Sequence, residues 1–123
     1  MNTKVLIVED ETVVRLVGAD AVADAGYEVL EASSADEAIR ILEAAGEVHI
    51  LFTDIRMPGS MDGLELARLV HDRWPRIKIL LTSGDTWPSR QSIPNDSRFL
   101  VKPYRLDALQ RELQLLHGAE DEV

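Results

Sequence analysis

Residues 48–54 read Val48-His49-Ile50-Leu51-Phe52-Thr53-Asp54, a short apolar run closed by an acid. Its length and its lack of polar alternation suit a strand buried on both faces, as in a parallel sheet. The pattern recurs on either side. Lys4 to Val8 is such a run and ends on Glu9-Asp10. Ile77 to Leu81 is another and ends on Thr82-Ser83, and the short Phe99 to Val101 ends on Lys102-Pro103. Tyr27 to Ala32 alternates and completes a set of five strands.

Helix patterns lie between these runs. Glu11 to Ala25 carries a stripe of Val14, Val17, Ala21 and Ala25, with Gly26 at a C′ position. Ser34 and Glu37 have capping-box spacing ahead of a stripe of Ala35, Ala38, Ile39 and Leu42. Asp62 can cap a third helix with Gly63, Leu66, Ala67, Val70 and Trp74 on one stripe, and Pro75 ends it. Arg105 to Leu116 turns Leu106, Leu109, Leu113 and Leu116 inward. The alternation predicts an α/β fold, a doubly wound five-stranded parallel sheet with helices on both faces. Gly84, Pro88 and Pro94 interrupt residues 82–97, so a fourth helix there is expected to be short or irregular. Residues 1–123 read as one domain, with a core over 4–117 and a frayed acidic tail from His117 on.

Composition narrows the function. The formal net charge of -9 disfavours the DNA backbone as a main partner, since binding there runs on Lys and Arg. The absence of cysteine excludes disulfides and thiol chemistry. No apolar stretch approaches the roughly 20 residues of a membrane helix, and no export signal precedes the first run, so a cytoplasmic location is expected. His49, His71 and His117 share no ligand spacing.

In a sheet of this kind, ligands sit beyond the carboxyl ends of the strands. There the runs place Glu9, Asp10, Asp54, Thr82, Ser83 and Lys102. Three carboxylates close together repel unless a positive charge lies among them. An all-oxygen acidic set suits a hard cation such as Mg2+. A lysine and a hydroxyl at the same edge supply donors for a phosphoryl group, with an aspartate as nucleophile. Taken singly, each of these residues is more often a cap, a turn residue or a solvated charge.

The set resembles the receiver domain of two-component response regulators, over nearly the whole chain. The resemblance rests on Glu9-Asp10, the stretch from Asp54 through Pro58-Gly59 to Asp62-Gly63, Thr82, Phe99 and Lys102-Pro103. It implies that Asp54 accepts a phosphoryl group from a phosphohistidine on a sensor histidine kinase. It implies Asp10, Asp54 and the backbone carbonyl of Arg56 as magnesium ligands, with Glu9 acting through water or as a weaker ligand. Lys102 would hold phosphoryl oxygens, Thr82 would swing toward them, and Phe99 would turn inward as the aromatic switch. Arg56 and Gly84 occupy positions that tune phosphoryl lifetime, and slow loss is expected. Such a domain is not an enzyme toward other substrates; it catalyses only its own phosphorylation and dephosphorylation.

The resemblance further implies a downstream protein target or phosphotransfer protein as partner, without direct DNA or membrane binding. A homodimer through the last helix stays open. The chain is expected to be a stand-alone receiver, or one excised from a hybrid kinase or a larger regulator. An aspartate-nucleophile phosphatase is the alternative from another class, although its second aspartate is replaced by Arg56. A flavodoxin-like nucleotide binder lacks its Gly-rich loop after the first strand. Trp87 is read as a partner anchor or a core-edge residue.

Overall fold

The computed structural model describes residues 3–85 and 88–121. Five strands form one sheet: β1 (Lys4–Val8), β2 (Glu28–Ala32), β3 (Ile50–Asp54), β4 (Lys78–Ser83) and β5 (Arg98–Val101). All neighbours run parallel, in the order β2-β1-β3-β4-β5. The chain steps outward from β1 to β2 and then returns across β1 to β3. The direction of winding therefore reverses between β1 and β3, and a crevice opens beyond their carboxyl ends. Every residue of β3 is buried, which is why its sequence shows no polar alternation.

Successive side chains of each strand point to opposite faces and feed two separate cores. On one face, α1 (Thr12–Asp24) and α4 (Leu106–Asp121) pack Val22, Leu109 and Leu113 against Val5, Ile50, Phe52 and Leu80. On the other, α2 (Ala35–Ala45) and α3 (Gly63–Arg73) pack Ala38, Leu66 and Val70 against Leu6, Val8, Leu51 and Leu81. The expected doubly wound architecture is what the chain adopts. Between β4 and β5, the helical structure among the described residues is a single 3-10 turn, Arg90–Ser92. The irregular fourth helix is thus reduced to one turn. Trp87 lies outside the described residues.

Several expectations are corrected. The buried residues of α1 are Gly18, Ala19, Ala21 and Val22, not a stripe through Val14, Val17 and Ala25. Val13, Leu16 and Val17 are exposed. The reason is steric. A methyl group on Gly18 would lie 2.8 Å from the Ile7 side chain and 3.0 Å from the Tyr104 hydroxyl, so α1 meets the sheet through a glycine at this point. Leu106 is likewise exposed rather than facing in. Thr82 and Ser83 belong to β4 and not to the irregular segment, because they continue the ladders to Asp54 and Val101. The last helix does not fray at His117 but runs on to Asp121. His117 is held there: its Nδ1 lies 3.1 Å from Thr3 Oγ1, and its ring meets Tyr27 edge-on.

The caps are chemically ordinary. Ser34 Oγ accepts from the Glu37 amide at 3.1 Å, but the Glu37 carboxylate accepts from the Ser33 amide instead of closing a box. The reciprocal capping box is at α3, where Asp62 and Glu65 exchange bonds of 2.8 and 3.0 Å. No helix is long and apolar enough to cross a membrane among the described residues.

Candidate functional site

The carboxyl ends of β1 and β3 bring three acids together. One carboxylate oxygen from each of Glu9, Asp10 and Asp54 lies within 4.8 Å of the other two. Glu9 and Asp54 are only 3% and 5% exposed, while Asp10 is half-buried. Charges this close and this dry need a counter-charge. Lys102, directly after β5, supplies one. Its Nζ donates to Glu9 Oε1 at 2.6 Å and to Asp54 Oδ2 at 3.0 Å. The two other oxygens are bound by backbone: the Glu11 amide donates to Glu9 Oε2 at 3.1 Å, and the Arg56 amide to Asp54 Oδ1 at 3.3 Å.

These contacts set the ionisation of the group. Burial pushes the Glu9 carboxyl above its ordinary range, against the opposing pull of Lys102. Burial also pulls the Lys102 ammonium down, but its bonds to Glu9 and Asp54 outweigh that, and the net direction is up. Lys102 therefore stays charged. Tyr104 beside it is raised by burial first and by the Glu9 charge second. The donor set around the three acids is entirely oxygen, which fits a hard divalent cation. A divalent cation held by Glu9, Asp10 and Asp54 would offset their mutual repulsion.

The remaining residues singled out by sequence fall around this centre in two ways. Thr82 is the register partner of Asp54 on the next strand, yet its hydroxyl points elsewhere and donates to the Leu100 carbonyl at 2.6 Å. Phe99 is half-buried on β5, packed against the core on the α2 and α3 face. Arg56 reaches across the crevice, and its Nη1 pairs with Asp85 Oδ2 at 3.3 Å. Gly84 lies against Lys102, whose Cβ is 3.4 Å from where a glycine side chain would begin. In the long loop after Asp54, Gly59 takes φ 113°, a left-handed value natural only to glycine, and Ser60 Oγ donates to Asp36 at 3.2 Å.

Sequence reasoning missed three residues. Gly63 was read as a helix-stripe position and as the end of the motif after Asp54, without a packing role, but a methyl group there would lie 1.7 Å from the Asp54 carbonyl oxygen. Its amide donates to the Ile55 carbonyl at 2.9 Å, pressing α3 onto the backbone of β3. Asp85 and Arg15 were not read at all. The signal for Arg15 was the lone base of α1, in a helix whose other charged residues, Asp20 and Asp24, are acids.

Comparison with known proteins agrees with this geometry. Residues 5–114 match the family model described as the response regulator receiver domain. Over 112 residues, 88% of the chain, it is 41% identical to the sensor kinase CckA of Brucella abortus (strain 2308). The chain spans only 12% of that kinase's length. It is 31% identical to the chemotaxis protein CheY1 of Helicobacter pylori (strain J99 / ATCC 700824), covering 96% of the chain and 99% of that protein. The crystal structure of a response regulator receiver protein from Sinorhizobium medicae WSM419 superimposes with a TM-score of 0.90 at 28% identity, covering 98% of each chain.

Proposed function

Because the chain belongs to the response regulator receiver domain family, we propose that Asp54 is its phosphoacceptor and that residues 1–123 act as one signalling receiver. The observation that carries this reading is the pair of bonds from Lys102 to Glu9 and Asp54 at a shared acidic crevice. Asp54 presents Oδ2 to Lys102 and Oδ1 to the Arg56 amide, so its carboxylate is held by both oxygens before any phosphoryl group arrives.

Nucleophilic attack by an Asp54 oxygen on phosphorus forms an acyl phosphate and releases the donor's leaving group. Lys102 then shifts from carboxylate to phosphoryl oxygens, which carry close to two negative charges. Thr82 leaves the Leu100 carbonyl and donates to the same oxygens. The Thr82 side chain vacates space between β4 and β5, and Phe99 on β5 turns inward. The phosphoryl group biases the two arrangements only through contacts better made in one of them, those of Thr82 and Lys102. The chain catalyses no other reaction.

The donor is a phosphohistidine on a sensor histidine kinase, and the recipient of the signal is a protein target or a phosphotransfer protein, in the cytoplasm. The donor docks on an apolar groove of about 510 Å³ beside Lys102, lined by Val13, Val14, Val17, Pro103, Tyr104 and Leu106. That use accounts for the exposure of Val13 and Val17 on α1.

Incubation with acetyl phosphate tests the reading. Intact protein is expected to gain the mass of one phosphoryl group with magnesium and not with chelator, in an acid-stable, base-labile form. No gain in the wild type would overturn it.

A further inference from the structure

Arg15 stands on the second turn of α1 and has no part in the roles above. Its Nη1 donates to the Glu9 carbonyl at 2.9 Å, and its Nε donates to Glu31 Oε1 at 3.2 Å. The side chain is only 17% exposed. The Glu9 carbonyl belongs to the peptide that joins Glu9 to Asp10. The guanidinium therefore grips the unit from which both acids hang. The paired residues of β1 and β3 end at Val8 and Thr53, so this peptide lies just past the ladder that holds the rest of β1 to β3. On the other side of Glu9, its amide donates to the Ala32 carbonyl at 3.1 Å. Two bonds thus tie the acidic turn toward the end of β2, one from its own backbone and one through Arg15 seated on Glu31.

Charge explains why a pair is used. A lone arginine behind three carboxylates would oppose a cation. With Glu31 against it, the guanidinium acts chiefly as a brace. Two acceptors in different directions suit the planar arginine fork and not a single ammonium. We propose that Arg15, seated on Glu31, is a positioning residue that fixes the Glu9–Asp10 peptide and so sets the cation affinity of the three-acid cluster. This rests on the reading of that cluster as a magnesium site. It brings β2, which carries no site residue, into the architecture of the site.

Calorimetric titration of the unphosphorylated protein with magnesium chloride tests it. Arg15→Ala is expected to weaken binding about 10-fold, the low end of what outer-shell partners of a metal contribute. Arg15→Lys is expected to recover part of the loss. Glu31→Gln is expected to weaken binding as well, because the amide oxygen can still accept from Arg15 but no longer balances the guanidinium charge behind the three acids. The magnesium concentration that gives half-maximal labelling with acetyl phosphate is expected to rise in Arg15→Ala by the same factor as the dissociation constant. Wild-type magnesium affinity in both Arg15→Ala and Glu31→Gln overturns the brace and leaves the site reading intact. Failure of the wild type to bind magnesium overturns both. If Arg15→Ala does not fold, Glu31→Gln carries the test, as its side chain is 38% exposed.

Discussion

The Cα of Gly63 is pressed so closely against β3 that a methyl group on it would meet the carbonyl oxygen of Asp54 at 1.7 Å. The residue that starts α3 thus touches the backbone of Asp54 itself. Gly63→Ala must move α3 or the end of β3, and overpacking of this kind costs about 3 kcal/mol. Chemical denaturation is expected to show that loss, with slowed labelling of Asp54 in the protein that remains folded. Wild-type stability in the variant would refute the close approach.

Lys102 provides the nearest positive charge for two carboxylates that are almost wholly buried. Lys102→Ala leaves Glu9 and Asp54 facing one another, and removing one partner of a buried pair costs about 3 kcal/mol. Denaturation in chelator should register the loss, and magnesium should restore part of it by supplying the missing charge. An unchanged midpoint in chelator would contradict this account of the crevice.

Glu9 gives the metal-free protein a pH dependence of definite sign. Burial raises its carboxyl above the ordinary 4.5, so the folded state holds the proton more tightly than the unfolded state. The stability this group contributes is full below pH 4.5 and is lost as pH rises through the raised value. In chelator, wild type should therefore lose stability relative to Glu9→Gln over the interval just above pH 4.5. Thermal melts of the two proteins across that interval measure it. A wild type that gains on the variant there would reverse the sign.

The Arg56–Asp85 pair spans the crevice between the loop after β3 and the segment after β4, with both side chains well exposed. An exposed pair is worth up to about 1 kcal/mol, or roughly fivefold in a rate. Arg56→Ala is expected to lose its phosphoryl group faster than wild type by up to about that factor. Autodephosphorylation followed by mass spectrometry decides it. An equal or slower rate in the variant would remove Arg56 from the control of phosphoryl lifetime.

The strands were legible because a parallel sheet buries both faces, and β1, β3 and β4 accordingly read as unbroken apolar runs. The acids and the lysine were legible because such runs end where the chemistry lies. The buried face of α1 was not. Nearly every position from Val13 to Ala23 is apolar or small, so periodicity selects no stripe, and the choice falls to steric fit around Gly18. Gly63 was hidden for a related reason: its importance is the side chain it lacks. Arg15 and Asp85 act through partners distant in sequence, Glu31 and Arg56, and spacing along the chain does not reveal such pairs. The last helix was drawn too short because its acidic end lacks an apolar stripe, while His117 is tied to Thr3 and Tyr27 from the opposite end of the chain.

The central claim is that one particular carboxylate takes the phosphoryl group. Borohydride reduces an acyl phosphate to an alcohol, which converts a phosphorylated aspartate into homoserine. Protein treated with acetyl phosphate and magnesium, reduced, digested and sequenced by tandem mass spectrometry should carry homoserine at position 54 and at no other acid, and Asp54→Asn should carry none. Homoserine at Asp10 or Asp62, or equal conversion in the Asp54→Asn protein, would contradict the account.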